Sequence, residues 1–210
     1  MSTLIELAER AESQPPRPGS GPYSYIHTRG WYLATGQTTD GRVMDARVEE
    51  TDRQFWVAAD GTGRIEETRD GRRSRMSGVY GPGELYPGPA DAPGAVIRLQ
   101  DVGSLWQVQT VSPALQAVLL RRLAAGPRLR LSETTDRAGR PGLAVSADDP
   151  PDRSEWRGRH VLVLDPETGM LLASQEIPLK AADHALTQEN ASSYTLWVRT
   201  GYAPHPDTRP

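Results

Sequence analysis

The chain has 210 residues, no cysteine and a formal net charge of −3, with both signs scattered along its length. A chain of this size buries roughly 70% of its unfolded surface, so one domain needs no metal or disulfide to hold it. The lack of cysteine excludes disulfides, thiolate metal sites and Cys nucleophiles, and the mixed charge offers no broad basic face for a nucleic-acid backbone.

Hydrophobic residues make up 37%, below an ordinary globular chain, and 20 Gly with 18 Pro predict many turns and modest helix content. Lys180, Asn190 and Phe55 are the sole residues of their types. Codons for these three are AT-rich, which points to a GC-rich genome. No window approaches the 18 or more apolar residues of a membrane span, and the start, Met1 to Leu7, lacks a basic segment followed by an apolar one. The sequence therefore reads as soluble.

In chain order, residues 3–13 place Leu4, Leu7, Ala8 and Ala11 on one stripe, which predicts a short amphipathic helix. It ends at Gln14-Pro15-Pro16-Arg17-Pro18-Gly19, where proline and glycine stop any regular element. Tyr23, Tyr25 and His27 alternate with Ser24, Ile26 and Thr28, and aromatics continue through Trp31 and Tyr32, so one or two strands are predicted over 23–33. Gln54 to Ala59 turns through Asp60-Gly61 into Arg64 to Thr68, and Asp-Gly supplies the positive φ of a tight hairpin. Residues 70–95, dominated by Gly, Pro and Arg, read as a long loop.

Residues 101–110 suggest a short helix, and a firmer one follows over 112–125. Ser112 is its N-cap, Pro113 its first residue, Leu115, Val118, Leu119 and Leu123 its apolar face, and Gly126-Pro127 its end. Leu129 and Leu131 alternate with arginines; a turn over 135–142 leads to Leu143-Ala144-Val145. The strongest hairpin runs from His160 to Leu164, turns at Asp165-Pro166-Glu167-Thr168-Gly169 and returns from Met170 to Gln175. A last strand covers Tyr194 to Val198. The whole reads as a single α+β domain over 1–203 with a flexible Pro-rich tail, 204–210, built on an antiparallel sheet with helices packed on one face.

No P-loop, Gly-x-Ser-x-Gly elbow, His-Glu-x-x-His or Gly-x-Gly-x-x-Gly is present. His27, His160, His184 and His205 lack ligand-like spacing, so structural or surface roles are expected for each. The acidic run from Asp148 to Glu155 lacks the ligand alternation and central glycine of a calcium loop and reads as a solvated loop. Arg72, Arg73 and Arg75 form a small basic knot, for which solvation is again the plainer reading. Trp31, Tyr32, Tyr80 and Tyr86 are candidates for a groove or interface, with core packing the default for those on strands. No catalytic, cofactor or metal residue is predicted, and no cofactor.

The phrase Phe55-Trp56-Val57-Ala58-Ala59-Asp60-Gly61-Thr62-Gly63-Arg64-Ile65 resembles the Trp-x-Ala-x-Asp-Gly-x-Gly-Arg hairpin of a family of actinobacterial single-span membrane proteins with no assigned activity. The resemblance continues in order through Val111 to Leu119, the turn from Thr134 to Val145 and the Asp165-Pro166-Glu167-Thr168-Gly169 hairpin. It implies an extracytoplasmic domain whose membrane anchor lies upstream of this chain, often encoded beside an extracytoplasmic-function sigma factor. More remotely, the order of elements resembles the half-barrel of LolA-like lipoprotein carriers and RseB-like regulators of anti-sigma factors, which implies a curved, unclosed antiparallel sheet.

Three functions follow as expectations. The first is a non-catalytic sensory or interaction domain that meets a protein partner at the cell envelope, in a sigma-factor pathway. The second is a carrier or sensor of a lipid or other apolar ligand, held in a half-barrel pocket lined by some of Trp56, Leu115, Val118, Leu119, Leu162 and Leu172. The third, an enzyme, is the one the sequence argues against.

Overall fold

A computed structural model describes residues 3–37, 43–88, 98–126, 129–149, 157–180 and 191–210. Its elements are α1 (Leu4–Glu12), β1 (Tyr23–Gln37), β2 (Val43–Val57), β3 (Gly63–Arg69), β4 (Arg72–Arg73), β5 (Gly78–Tyr80), α2 (Leu99–Val108), α3 (Pro113–Ala124), β6 (Arg130–Thr135), β7 (Pro141–Asp148), β8 (Arg157–Leu164), β9 (Leu171–Lys180) and β10 (Ser193–Ala203). The strands form one sheet in the order β4-β3-β2-β1-β10-β9-β8-β7-β6, with β5 also on β3. Every strand pair is antiparallel. The sheet is curved and unclosed, as the sequence predicts.

Local chemistry sets the ends of these elements. Thr3 and Glu6 form a reciprocal capping box at the start of α1, which satisfies two of the four amides that a helix start leaves without partners. Ser112 accepts from the amide of Leu115 at 3.1 Å ahead of Pro113. In the second hairpin, Asp165 Oδ1 accepts from the amides of Glu167 and Thr168, and Gly169 sits at φ 67°. A Cβ there would lie 2.2 Å from the carbonyl oxygen of Leu7, so glycine lets the turn approach the backbone of α1.

Strand alternation divides the core between two faces. Ile26, Phe55, Val57, Leu162, Leu164, Leu171 and Trp197 point to the helices, where they join Leu4, Leu7, Val102, Trp106, Leu119 and Leu120 in one buried cluster. Their sequence neighbours Tyr25, Trp56, Val163, Leu172, Tyr194 and Leu196 pack on the opposite face. That face is covered as well: Arg137, from the β6–β7 turn, lays its guanidinium over the rings of Trp31 and Tyr194. The final residues return over Tyr25 and Trp56, with the Trp56 indole donating to Thr208 O at 2.6 Å and Arg209 Nε to Gln54 Oε1 at 2.7 Å. Within the segment 204–210, expected as a flexible tail, Thr208 and Arg209 make these two hydrogen bonds to the sheet.

Other boundaries also differ from the sequence reading. β1 and β2 are 15 residues each, far longer than the predicted 23–33 and 54–59. The distal half of β2 carries Arg47, Glu49 and Glu50, and a charged run of this kind shows no apolar alternation to read. The stretch 70–95, read as loop, contains β4 and β5, which are two and three residues long and too short for a periodic signal. The 101–110 helix is present as α2, beginning at Leu99.

The helices are tied to the sheet by a chain of buried polar contacts. The Trp197 indole donates to Trp106 O at 3.0 Å, the Trp106 indole donates to Gln116 Oε1 at 3.0 Å, and Gln116 Nε2 donates to Gly169 O at 2.9 Å. Gln116 is fully buried. Gln116→Leu keeps the volume but strands a buried indole N–H and a buried carbonyl, each worth roughly 1–3 kcal/mol unpaired. We expect it to lower unfolding stability by about 3 kcal/mol in urea titration; a loss below about 0.5 kcal/mol contradicts this role.

Candidate functional site

The sheet opens along one seam. β10 pairs with β9 only from Ser193 to Leu196, opposite Glu176 to Ala173. Beyond Leu196, β10 continues along β1 to Ala203, and the register between those two shifts at His27/Thr28. β9 meanwhile continues along β8 to Leu171. The two strands therefore splay below the Leu196 and Ala173 pair and leave a cleft of about 370 Å³.

A single side chain spans the top of this split. Arg140 Nη2 donates to Leu172 O at 3.2 Å and to Trp197 O at 3.1 Å, one carbonyl from each splayed strand. Its Nε donates to Asp136 Oδ2 at 2.7 Å, and Asp136 Oδ1 accepts from the amides of Ala138 and Arg140. The Asp136 carboxylate is out of water. Arg140 thus replaces the missing ladder bonds and neutralises a buried charge.

The walls of the cleft come from the Gln14–Pro18 segment, Trp106, Met170–Leu172 and Trp197–Thr200. Pro18 O accepts from the amide of Tyr202 at 2.9 Å, and Gly19 forms a parallel bridge with Tyr202. Arg17 stacks on the Trp106 ring, 5.0 Å from its centroid, and donates Nε to Val111 O at 3.0 Å. Its Nη2 is buried without a hydrogen-bond partner. Burial pushes the Arg17 guanidinium down to about 10, because desolvation disfavours the charged form.

Some of six apolar residues are expected to line one pocket, and the fold places them as follows. Leu119 and Leu162 lie in the main core, with Leu115 packed against it. Val118 is 37% exposed on α3. Trp56 and Leu172 are on the opposite face of the sheet. Leu172 borders the 370 Å³ cleft, and Leu162 borders a smaller one of about 140 Å³ beneath α2. Around these positions Trp106, Leu119, Leu120, Leu162 and Leu164 are each 2% exposed or less. A further hollow of about 440 Å³ is bounded by the charged residues Arg47, Glu49, Arg69, Asp70 and Arg72.

Of the titratable candidates, His27 Nε2 lies 3.0 Å from Asp52 and His160 Nε2 lies 3.1 Å from Asp149, two separate pairs on different strands. His205 caps the C-terminal turn through its backbone, and His184 lies outside the described residues. Among the described residues no group of three or more His, Asp or Glu is placed to hold a metal ion. The start of the acidic run is engaged rather than free: Arg159 donates to Asp148 at 2.7 Å and Arg130 approaches it to 2.5 Å. Together they hold its carboxyl down to about 2. Arg72, Arg73 and Arg75 are exposed, Tyr80 and Trp31 are half-buried, and Tyr86 is 66% exposed.

No family model matches the chain, and no curated protein matches it. Solved structures do match. The chain is similar to MucB. The crystal structure of MucB in complex with MucA(peri) aligns over 94% of this chain and 54% of that one, at 16% identity and a TM-score of 0.32. MucB by itself aligns over 97% and 58%, at 20% identity and a TM-score of 0.34. The Pseudomonas aeruginosa MucA/MucB complex aligns over 97% and 59%, at 20% identity and a TM-score of 0.32. The chain spans a little over half the length of these MucB chains. The fold assignment stands on the strand order itself.

Sequence reasoning singled out neither Arg17 nor Arg140. Arg140 was visible only as part of a turn, and Arg17 only as an interruption in a proline run. Two measurements test the electrostatics of the region. Arg140→Ala leaves the Asp136 charge buried and two carbonyls unpaired, so we expect a loss of about 2–3 kcal/mol in urea unfolding, partly restored in Arg140→Lys. Asp148, whose folded pKa is depressed, contributes stability above about pH 4 that disappears as pH falls through about 2. Asp148→Asn should melt about 2–4 °C below the parent at neutral pH, with the curves converging near pH 2; a constant gap across that range contradicts the assignment.

Proposed function

We propose that this chain is a non-catalytic extracytoplasmic interaction domain, carried by an anchored membrane protein and engaged with a protein partner at the cell envelope in a sigma-factor pathway. The observation that carries this reading is the division of the surface: the concave side of the sheet is occupied by the protein's own side chains, while the split between β9 and β10 remains open. A packed core beside an open seam lined by Trp106, Trp197 and Arg199 suits recognition of another chain. Anchoring, the envelope location and the sigma-factor context come from the resemblance of the Asp60-Gly61 and Asp165-Gly169 hairpins and the Val111–Leu119 phrase to the actinobacterial family. No helix among the described residues is long and apolar enough to cross a membrane, so on this reading the anchor belongs to another part of the protein.

The apolar-ligand reading needs volume among Leu115, Leu119 and Leu162, of which Leu119 and Leu162 are buried in the main core. An enzyme needs convergent titratable groups, and the His27 and His160 pairs sit on different strands. A photo-crosslinking residue placed in turn at the exposed positions Val48, Val79 and Val198, in cells of the source bacterium, separates the readings. The expected result is a discrete protein adduct from at least one position. Lipid adducts alone, together with a lipid-bound mass of the purified protein and a raised melting temperature on adding phospholipid, contradict it; a ligand at 100 times its Kd stabilises by about 2.7 kcal/mol.

A further inference from the structure

The split seam is an interrupted ladder rather than a hole between side chains. Beyond Leu196, β10 has a strand partner on one side only. An unpaired strand edge is a template for another extended chain. The segment that enters the gap is poorly suited to close it. Pro15, Pro16 and Pro18 have no N–H to offer the β10 carbonyls, and the contact reduces to the Tyr202 amide on Pro18 O and the bridge at Gly19. Proline here also keeps identical chains from stacking edge to edge, which leaves the opening available to a partner with a complete backbone.

Charge selects the partner. Arg17 and Arg199 line the opening, and neither has a carboxylate within ion-pairing distance among the described residues. Arg140, above them, is already matched by Asp136. The one carboxylate in the lining, Asp165, is held by the amides of its own turn. Arg17 is fixed in place by Val111 O and the face of Trp106, so its fork is pre-organised for a carboxylate. Arg199 is exposed at the outer lip beside Val198.

We propose that the split between β9 and β10 is the docking slot for an extended acidic segment of the partner protein, which lies along the Trp197–Thr200 edge and sets its carboxylates against Arg17 and Arg199. This inference rests on the interaction-domain reading and supplies its site and the chemistry of its partner.

The test uses two fluorescent octapeptides, Val-Glu-Glu-Val repeated twice (the Val-Glu peptide) and Val-Lys-Lys-Val repeated twice (the Val-Lys peptide), whose adjacent charges project to both faces of the sheet, titrated against the whole chain by anisotropy. The Val-Glu peptide is expected to bind and to weaken as salt is added, and the Val-Lys peptide to show no saturable binding. Arg199→Glu, an exposed change that leaves the melting temperature in place, should weaken the Val-Glu peptide about tenfold or more. Arg17→Met, which keeps an apolar stem against Trp106, should do the same; if that variant fails to fold, Arg199→Glu alone decides. Equal binding of the two peptides, no binding of either, or a Val-Glu affinity indifferent to Arg199→Glu overturns the slot. Crosslinking distinguishes this failure from that of the wider reading. A protein adduct from Val198 supports both, an adduct from Val79 or Val48 with none from Val198 overturns the slot alone, and no protein adduct from any position overturns both.

Discussion

Three hydrogen bonds in series, from the Trp197 indole to Trp106 O, from the Trp106 indole to Gln116 Oε1 and from Gln116 Nε2 to Gly169 O, hold the layers of this domain in register. They join β10, the α2–α3 pair and the β8–β9 turn, three pieces that are far apart in sequence. Apolar packing alone permits helices to slide on a sheet, because dispersion has little direction. A buried amide that must meet an indole on one side and a carbonyl on the other admits one arrangement. Gly169 is tied twice over, since the same turn that receives Gln116 also presses against Leu7 O of α1. α1, α3 and the hairpin are thereby positioned together.

From that registration follows the filled concave face. Trp106 and Trp197 meet edge to face, their centroids 6.1 Å apart, and they occupy the centre of the space between helices and sheet. At the seam β10 shifts register against β1 and parts from β9. Register shifts of this kind bend a strand and end its pairing, and they recur beside functional sites. Arg140 keeps the parting from spreading upward by bonding one carbonyl on each side. Packing and opening are thus two consequences of one arrangement: the helices fill the curve, and the sheet yields at its seam.

Elements whose signal is local were legible in the sequence. Ser112-Pro113 and the Gly126 end define α3, and Asp60-Gly61 and Asp165 to Gly169 define two hairpins, because caps and turns are written in adjacent residues. The sheet class followed from strands separated by such turns. The distal halves of β1 and β2 were not legible, since Arg47 and Glu49 lie beyond the last β2–β3 pair, Thr51 with Arg69, where β2 pairs with β1 alone. The six apolar positions proposed for a pocket share the right residue type, but type does not reveal the face: Trp56 is one residue from Phe55 and points the opposite way. Gln116 read as an ordinary polar helix position, and nothing nearby in sequence announces that its partners are Trp106 and Gly169.

Exchange of indole N–H protons with deuterium, followed by NMR, tests the polar chain directly, because a donor held in a buried hydrogen bond exchanges only when the structure around it opens. Trp31 is a control within the molecule, since its indole donates to Glu50 at an exposed site. The account predicts that the indole protons of Trp106 and Trp197 exchange only as fast as the whole domain unfolds, while that of Trp31 is lost early. Exchange of Trp106 and Trp197 at the rate of Trp31 would contradict it.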